Sequence, residues 1–356
     1  MKSYIRYRAG RGIIDLIKEE GLRPERIRVF AGPAGGPKWF VSVGFDRAVI
    51  NTGLLLQGHK VLLAGSSAGA WRCLAIASRD PLSAYERLRI GYSRNVFTER
   101  DTPRTVSDAF RRTVEAFLTD EDIRSILDHP SYRTALHVVR SKGPTASENR
   151  RIEGAGILLA ALANVFAPRG MDPFYDRAVF FTGDQPPGFV EKRFRGLGIR
   201  LTTENLRDAA LATGSLPYIM RGVSDIPGAP PGVYRDGGIR DYQYNQDYMP
   251  SDDGLTLFFH YQERIVPGWF DKKLSWRTPP GGSLDRVLQV YPGPDFVSLL
   301  PDGRIPDRKD FIEFASRPAE RIRRWDEVSE TSEILATEFF DHVNSGKIRN
   351  LVQPLT

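Results

Sequence analysis

The chain of 356 residues is 41% hydrophobic and 26% charged, which is enough apolar content to bury a substantial core. Fifty Lys and Arg against 44 Asp and Glu leave +6, a mild excess that favours anionic partners only weakly, and no nucleic-acid-binding motif accompanies it. The one cysteine, Cys73, excludes an intramolecular disulfide framework and fits a reducing compartment.

Length alone suggests two domains, but there is neither an internal repeat nor a long low-complexity linker, so a single elaborated domain over 1–356 is expected. The start "MKSYIRYRAGRG" lacks the apolar run of a secretory signal. A cytoplasmic location is therefore expected, with peripheral membrane contact as its extension. The basic stretches "ERIRRW" and "EKRFRGLGIR" read as solvated faces.

In chain order, "RIRVFAG" (26–32) reads as a buried strand, followed by the glycine-rich turn "GPAGG" and a helix from about Lys38 or Trp39. "KVLLAG" (60–65) reads as a second strand and "AGAWRCLAIAS" (68–78) as the helix after it, which leaves Ser67 at the turn between them. The region 82–167 reads as an inserted helical layer. It includes "VSDAFRRTVEAFL", capped at Ser107 or a neighbour, then "SYRTALHVV" and "GILLAALANVFA". The last of these is too short to span a bilayer; it reads as a buried helix or, alternatively, as an interfacial or lid helix beside an apolar channel.

Strand-like runs return at 177–183, 198–203, 256–261 and 286–291, with the helix "ENLRDAALAT" (204–213) among them and a charged helical extension over about 307–345. The alternation predicts an α/β layer fold with a largely parallel sheet and a site beyond the carboxyl ends of its strands.

"GSSAG" (65–69) fits G-x-S-x-G, with Gly65, Ser67 and Gly69 at the defined places between a strand and a helix, as a nucleophile elbow requires. A plain tight turn is the competing reading. No Lys-Ser or Lys-Thr follows, which disfavours a P-loop, and Ser66 occupies the variable position. A serine hydroxyl needs a base and its oxyanion needs donors. Upstream, Gly35 and Gly36 in "AGPAGGPKW" can donate backbone N–H groups where Pro33 and Pro37 cannot. Lys38 can complement a substrate phosphate or simply be solvated. The segment lacks G-x-G-x-x-G, so a dinucleotide fingerprint is disfavoured. Downstream, "GVYRDGGIRD" places Asp236 before Gly237 and Gly238, where an Asp-Gly-Gly turn without chemistry is the alternative.

Taken in order, "AGPAGGPKW", "AGSSAGAW" and "YRDGG" resemble the motifs of the patatin-like phospholipases, and the resemblance covers about 26–245. It implies a three-layer patatin-like α/β fold, a Ser67–Asp236 dyad without histidine, oxyanion donors at Gly35 and Gly36, no cofactor or metal, and a lipid or other acyl-ester substrate. The glycine loop departs from the family's D-G-G-G-x-R-G: Lys38 stands where Arg is common and Trp39 replaces the last Gly. Two rivals are a Ser-Asp-His hydrolase that uses His260 and a non-catalytic lipid-binding module of the same fold. No His, Asp or Glu cluster has ligand-like spacing for a metal, and the sequence does not set the oligomeric state.

Overall fold

The computed structural model describes residues 3–192, 195–249 and 254–355. Among the described residues, eleven strands form one sheet: β1 (Ile5–Ala9), β2 (Ile27–Gly32), β3 (Val61–Ser66), β4 (Tyr132–Ser141), β5 (Tyr175–Phe181), β6 (Leu197–Arg200), β7 (Val223–Ser224), β8 (Val233–Asp236), β9 (Leu255–Phe259), β10 (Val287–Pro292) and β11 (Val352–Pro354). The order is β11-β1-β10-β9-β2-β3-β4-β5-β6, and the β7–β8 ribbon is attached to β4. The central run from β10 through β9, β2 and β3 to β4 is parallel throughout. β1 joins β10, and β5 and β8 join β4, antiparallel, while the outer pairs β1–β11 and β5–β6 are parallel.

Helices connect and flank this sheet. They are α1 (Ile14–Glu20), α2 (Val43–Thr52), α3 (Ala68–Ile76), α4 (Pro81–Ser93), α5 (Pro103–Phe117), α6 (Asp120–Leu127), α7 (Arg150–Phe166), α8 (Gly188–Lys192) and α9 (Leu206–Gly214). The C-terminal region adds α10 (Pro294–Val297), α11 (Asp310–Glu313), α12 (Pro318–Thr331) and α13 (Glu333–Asn344). The fold is thus mixed α/β, with a mostly parallel central sheet between flanking layers.

Alternating side chains sort the strands' residues between the two faces. Phe30 and Leu63 join the larger core under the helices, whereas Val29, Ala31 and Ala64 join a second cluster. That second face is covered largely by irregular chain, with Tyr244, Tyr248 and Met249 packed on it beside Phe189 of α8.

Three expectations need correction. "SYRTALHVV" is not helical: it is most of β4, buried on both faces between β3 and β5. A strand buried on both faces reads as a continuous apolar run, so its periodicity cannot distinguish it from a helix. The inserted helical region is therefore split by a central strand. The helix placed at Ser107 begins earlier, at Pro103, with a Thr102–Thr105 capping box, and the Ser107 hydroxyl instead accepts a hydrogen bond from the Arg221 N–H. Finally, "GILLAALANVFA" is not a buried helix, because Leu158, Leu159, Leu162, Val165 and Phe166 face solvent.

Candidate active site

The polypeptide turns from β3 into α3 at Ser67, which holds φ +53° and ψ −131°. Such a left-handed backbone costs a non-glycine residue on the order of 1–3 kcal/mol and persists where its surroundings over-determine it. Those surroundings are visible here. The Ser67 N–H donates to Thr213 Oγ1 at 2.9 Å, and the Thr213 hydroxyl donates to the His137 carbonyl at 2.6 Å. Gly69 makes room for the turn: a Cβ there would lie 2.1 Å from the carbonyl oxygen of Gly32, at the end of β2. Gly65 is wedged against the same two glycines.

Beneath the turn, α3 is tied to α2 by a buried bidentate pair, with Arg72 Nε and Nη2 at 2.6 and 2.8 Å from the Asp46 carboxylate. The Tyr85 hydroxyl donates to the same carboxylate. Next to Arg72, Cys73 is buried and desolvation pushes its thiol up to about 12, so it stays protonated at neutral pH.

β8 delivers Asp236 antiparallel to β4, opposite Val138. The Ser67 hydroxyl donates to Asp236 Oδ2 at 3.0 Å, and the Gly238 N–H donates to Oδ1 at 2.7 Å. Gly237 lets this turn close on β4, since a Cβ there would meet the His137 carbonyl oxygen at 2.0 Å. Asp236 is buried, and desolvation raises its pKa above the usual carboxylate value against the opposing pull of Arg308, the Gly238 N–H and Ser67. Ser66 does not compete, because its hydroxyl donates to the Asp241 carbonyl at 2.6 Å. Asp241 itself is held well below the carboxylate range: desolvation opposes ionisation, but Arg177 and His137 outweigh it.

The glycine loop lies beside both turns. Pro33 approaches Gly69, and Ala34 approaches Gly238. The loop is pinned by Ala34, whose N–H donates to the Tyr242 carbonyl at 2.8 Å and whose carbonyl accepts the Tyr261 hydroxyl at 2.8 Å. Gly36 opens a 3-10 helix over Gly36–Ser42 with φ +58°. Lys38 is not a free cation: its Nζ lies 3.1 Å from Asp307 in the C-terminal extension. The next residue, Arg308, packs against Gly36, where a Cβ would come within 2.8 Å of its Nε. Its guanidinium has no hydrogen bond or ion pair among the described residues.

Above this floor opens a largely apolar cavity of about 470 Å³. Asp236, Gly238 and Arg308 line it together with Phe97, Phe110, Ile219, Tyr242, Trp269 and Ile312. The inserted helices contribute through α4 and α5, but α7 reaches the cavity only at Arg150, so "GILLAALANVFA" does not form the channel wall. A larger cavity of about 910 Å³, lined by Asp172, Asp176, Arg177 and Arg240 among others, does not include the dyad. Sequence reasoning missed Arg308, Trp269, Ile312 and Thr213; none stands in a motif, and each joins the site only through tertiary packing.

No histidine intervenes between Ser67 and Asp236. His260 is buried, its Nδ1 is bonded to the Gln262 carbonyl, and desolvation lowers its pKa to about 3. No group of His, Cys, Asp and Glu among the described residues is arranged to hold a metal ion. Nor is any described helix long and apolar enough to cross a membrane.

Among solved structures, one similar chain is the human GIVD cytosolic phospholipase A2, at 11% identity and a TM-score of 0.32. The match covers 96% of this chain and 63% of that one, so the chain spans less than two thirds of that protein's length. A search of curated proteins finds no match. The family model for patatin-like phospholipases matches residues 33–243, more than half of the chain. That span runs from the glycine loop through the serine turn to the Asp-Gly-Gly turn, and the chain belongs to the patatin-like phospholipase family.

Proposed function

We propose that the protein hydrolyses a carboxylic ester of a lipid through a Ser67 acyl-enzyme, with Asp236 as the general base. The observation that carries this reading is the 3.0 Å hydrogen bond from the Ser67 hydroxyl to a buried carboxylate at the base of an apolar cavity. A serine alcohol attacks an ester only if its proton has somewhere to go, and the Asp236 carboxylate is the acceptor in place.

Ser67 Oγ attacks the ester carbonyl while its proton passes to Asp236, and the carbonyl oxygen becomes the oxyanion of a tetrahedral intermediate. The Gly35 and Gly36 N–H groups, which make no hydrogen bond among the described residues, are the donors we assign to it. As the intermediate collapses, the carbon–oxygen bond to the alcohol breaks and Asp236 returns the proton to the leaving alkoxide. Water, deprotonated by the same carboxylate, then attacks the acyl-enzyme and releases the fatty acid and Ser67. The apolar wall holds the acyl chain and excludes bulk water.

Ser67→Ala should abolish both ester hydrolysis and labelling by a fluorophosphonate probe without changing the unfolding transition. Labelling that persists in this variant would overturn the assignment, as would hydrolysis at the native rate.

A further inference from the structure

α7 is polar inward and apolar outward. Its buried face carries Glu153, Gly156, Ala160 and Asn164, at intervals of three and four residues. Glu153 Oε1 lies 2.9 Å from Arg235, the neighbour of Asp236, and the Asn164 amide donates to Asp271 at 2.7 Å. Gly156 sits against the Pro144–Thr145 backbone, where a Cβ would come within 2.8 Å. The opposite face carries Ile152, Leu158, Leu159, Leu162, Val165 and Phe166, each at least 44% exposed and Phe166 87% exposed. No charged residue interrupts the exposed positions from 152 to 167. A helix docked on a water-soluble core shows the reverse polarity, and an uninterrupted apolar stripe of this length marks a surface that is covered in use.

What flanks the stripe identifies the cover. Exposed Arg151 stands at its N-terminal end, exposed Lys273 comes two residues after Asp271, the partner of Asn164, and Arg150 packs over the Tyr218 ring at 4.2 Å. Trp276, 67% exposed, follows the Trp269–Lys273 segment to which Asn164 is bonded. Cations and tryptophans around an apolar stripe match the interface of a bilayer containing anionic lipid. At its N-terminal end the helix meets the cavity rim through Tyr218, which lies under Arg150 and 3.7 Å from a Cβ built at Gly154, and Tyr218, Ile219, Trp269 and Ile312 are exposed on that rim. A protein partner seated across this face would cover the cavity mouth, whereas a bilayer would supply it.

We propose that the outward face of α7, with Trp276 and the cavity rim, is a membrane-docking surface that lies in the headgroup region of an anionic bilayer and presents the cavity mouth to it. The proposal rests on the lipid-hydrolase reading for its purpose but not for its test.

The test uses the full-length Ser67→Ala protein, so that binding is read without turnover. Co-sedimentation with phosphatidylcholine vesicles containing phosphatidylglycerol should show binding that weakens at high salt. The added triple substitution Leu158→Glu, Leu162→Glu and Phe166→Glu should weaken it by at least about tenfold, since three side chains lose their apolar burial. Leu56→Glu, on an exposed residue elsewhere, should bind as before. With Ser67 restored, the triple variant should hydrolyse a soluble short-chain ester at the native rate and lose hydrolysis of vesicle lipid.

Equal binding by the triple variant and its parent would overturn the proposal. So would a parent that does not bind, or a native dimer that the triple substitution dissociates while vesicle binding persists. If neither ester is cleaved but binding follows the expected pattern, the hydrolase reading fails and the docking surface stands.

Discussion

The floor and the wall of the cavity are built on different principles. The floor is made of turns at strand ends, where Ser67, Asp236 and the glycine loop are fixed by backbone hydrogen bonds and by glycine contacts closer than any Cβ allows. The wall gathers Phe97, Phe110, Ile219, Trp269 and Ile312 from segments far apart in the chain, and much of it reaches solvent. The floor tolerates almost no change of shape. Because wall side chains act mainly through apolar contact, each can change at small cost while the Ser67–Asp236 hydrogen bond stays intact.

The sharpest way to break the comparison is at the dyad. Asp236→Asn keeps the shape of the side chain but removes the proposed base, and turnover on a short-chain ester should fall by about 10²–10⁴-fold while the protein remains folded. A loss below tenfold would remove Asp236 from the base role.

Beneath the floor, Asp46→Ala leaves the fully buried Arg72 guanidinium without its partner, so stability should fall by about 3–5 kcal/mol. A urea unfolding midpoint measures this. A change near zero would mean that the pair is not what holds α3 in place.

Wall substitutions should act on selectivity instead. Ile219→Ser, at a half-exposed rim position, should reduce turnover of long-chain esters by about tenfold and leave short-chain esters near the native rate, because only the longer chain reaches that contact. Equal losses at all chain lengths would assign Ile219 to the floor.

The smallest effect connects the two regions. In the proposed base role Asp236 works only as a carboxylate; burial raises its pKa, and the positive charge of Arg308 opposes that rise. Arg308→Gln removes the opposing charge, so the pKa rises further and activity on the acidic side is lost at a higher pH. The plateau above it should be unchanged, and Arg308→Lys should restore the native profile. An acid limb that stays in place or moves down would show that Arg308 does not act on Asp236.

The three turns that make up the floor were legible as turns in the amino-acid sequence. G-x-S-x-G between a strand and a helix, the glycine turn before it and Asp-Gly-Gly after it are local requirements of backbone geometry, so they leave residue types at fixed spacing. The alternation of strands and helices likewise made the α/β class legible. The identity of β4 was not, because an element buried on both faces loses the period that names it. Nor was the direction in which α7 faces. "GILLAALANVFA" is apolar nearly all round, and the inward contacts of Glu153 with Arg235, of Gly156 with the Pro144–Thr145 backbone and of Asn164 with Asp271 turn its leucines outward. Tertiary structure alone decided the place of Arg308 as well. It lies outside the span that carries the motifs, and the Lys38–Asp307 contact brings it to Gly36 across some 270 residues of intervening chain, a distance that no local pattern encodes.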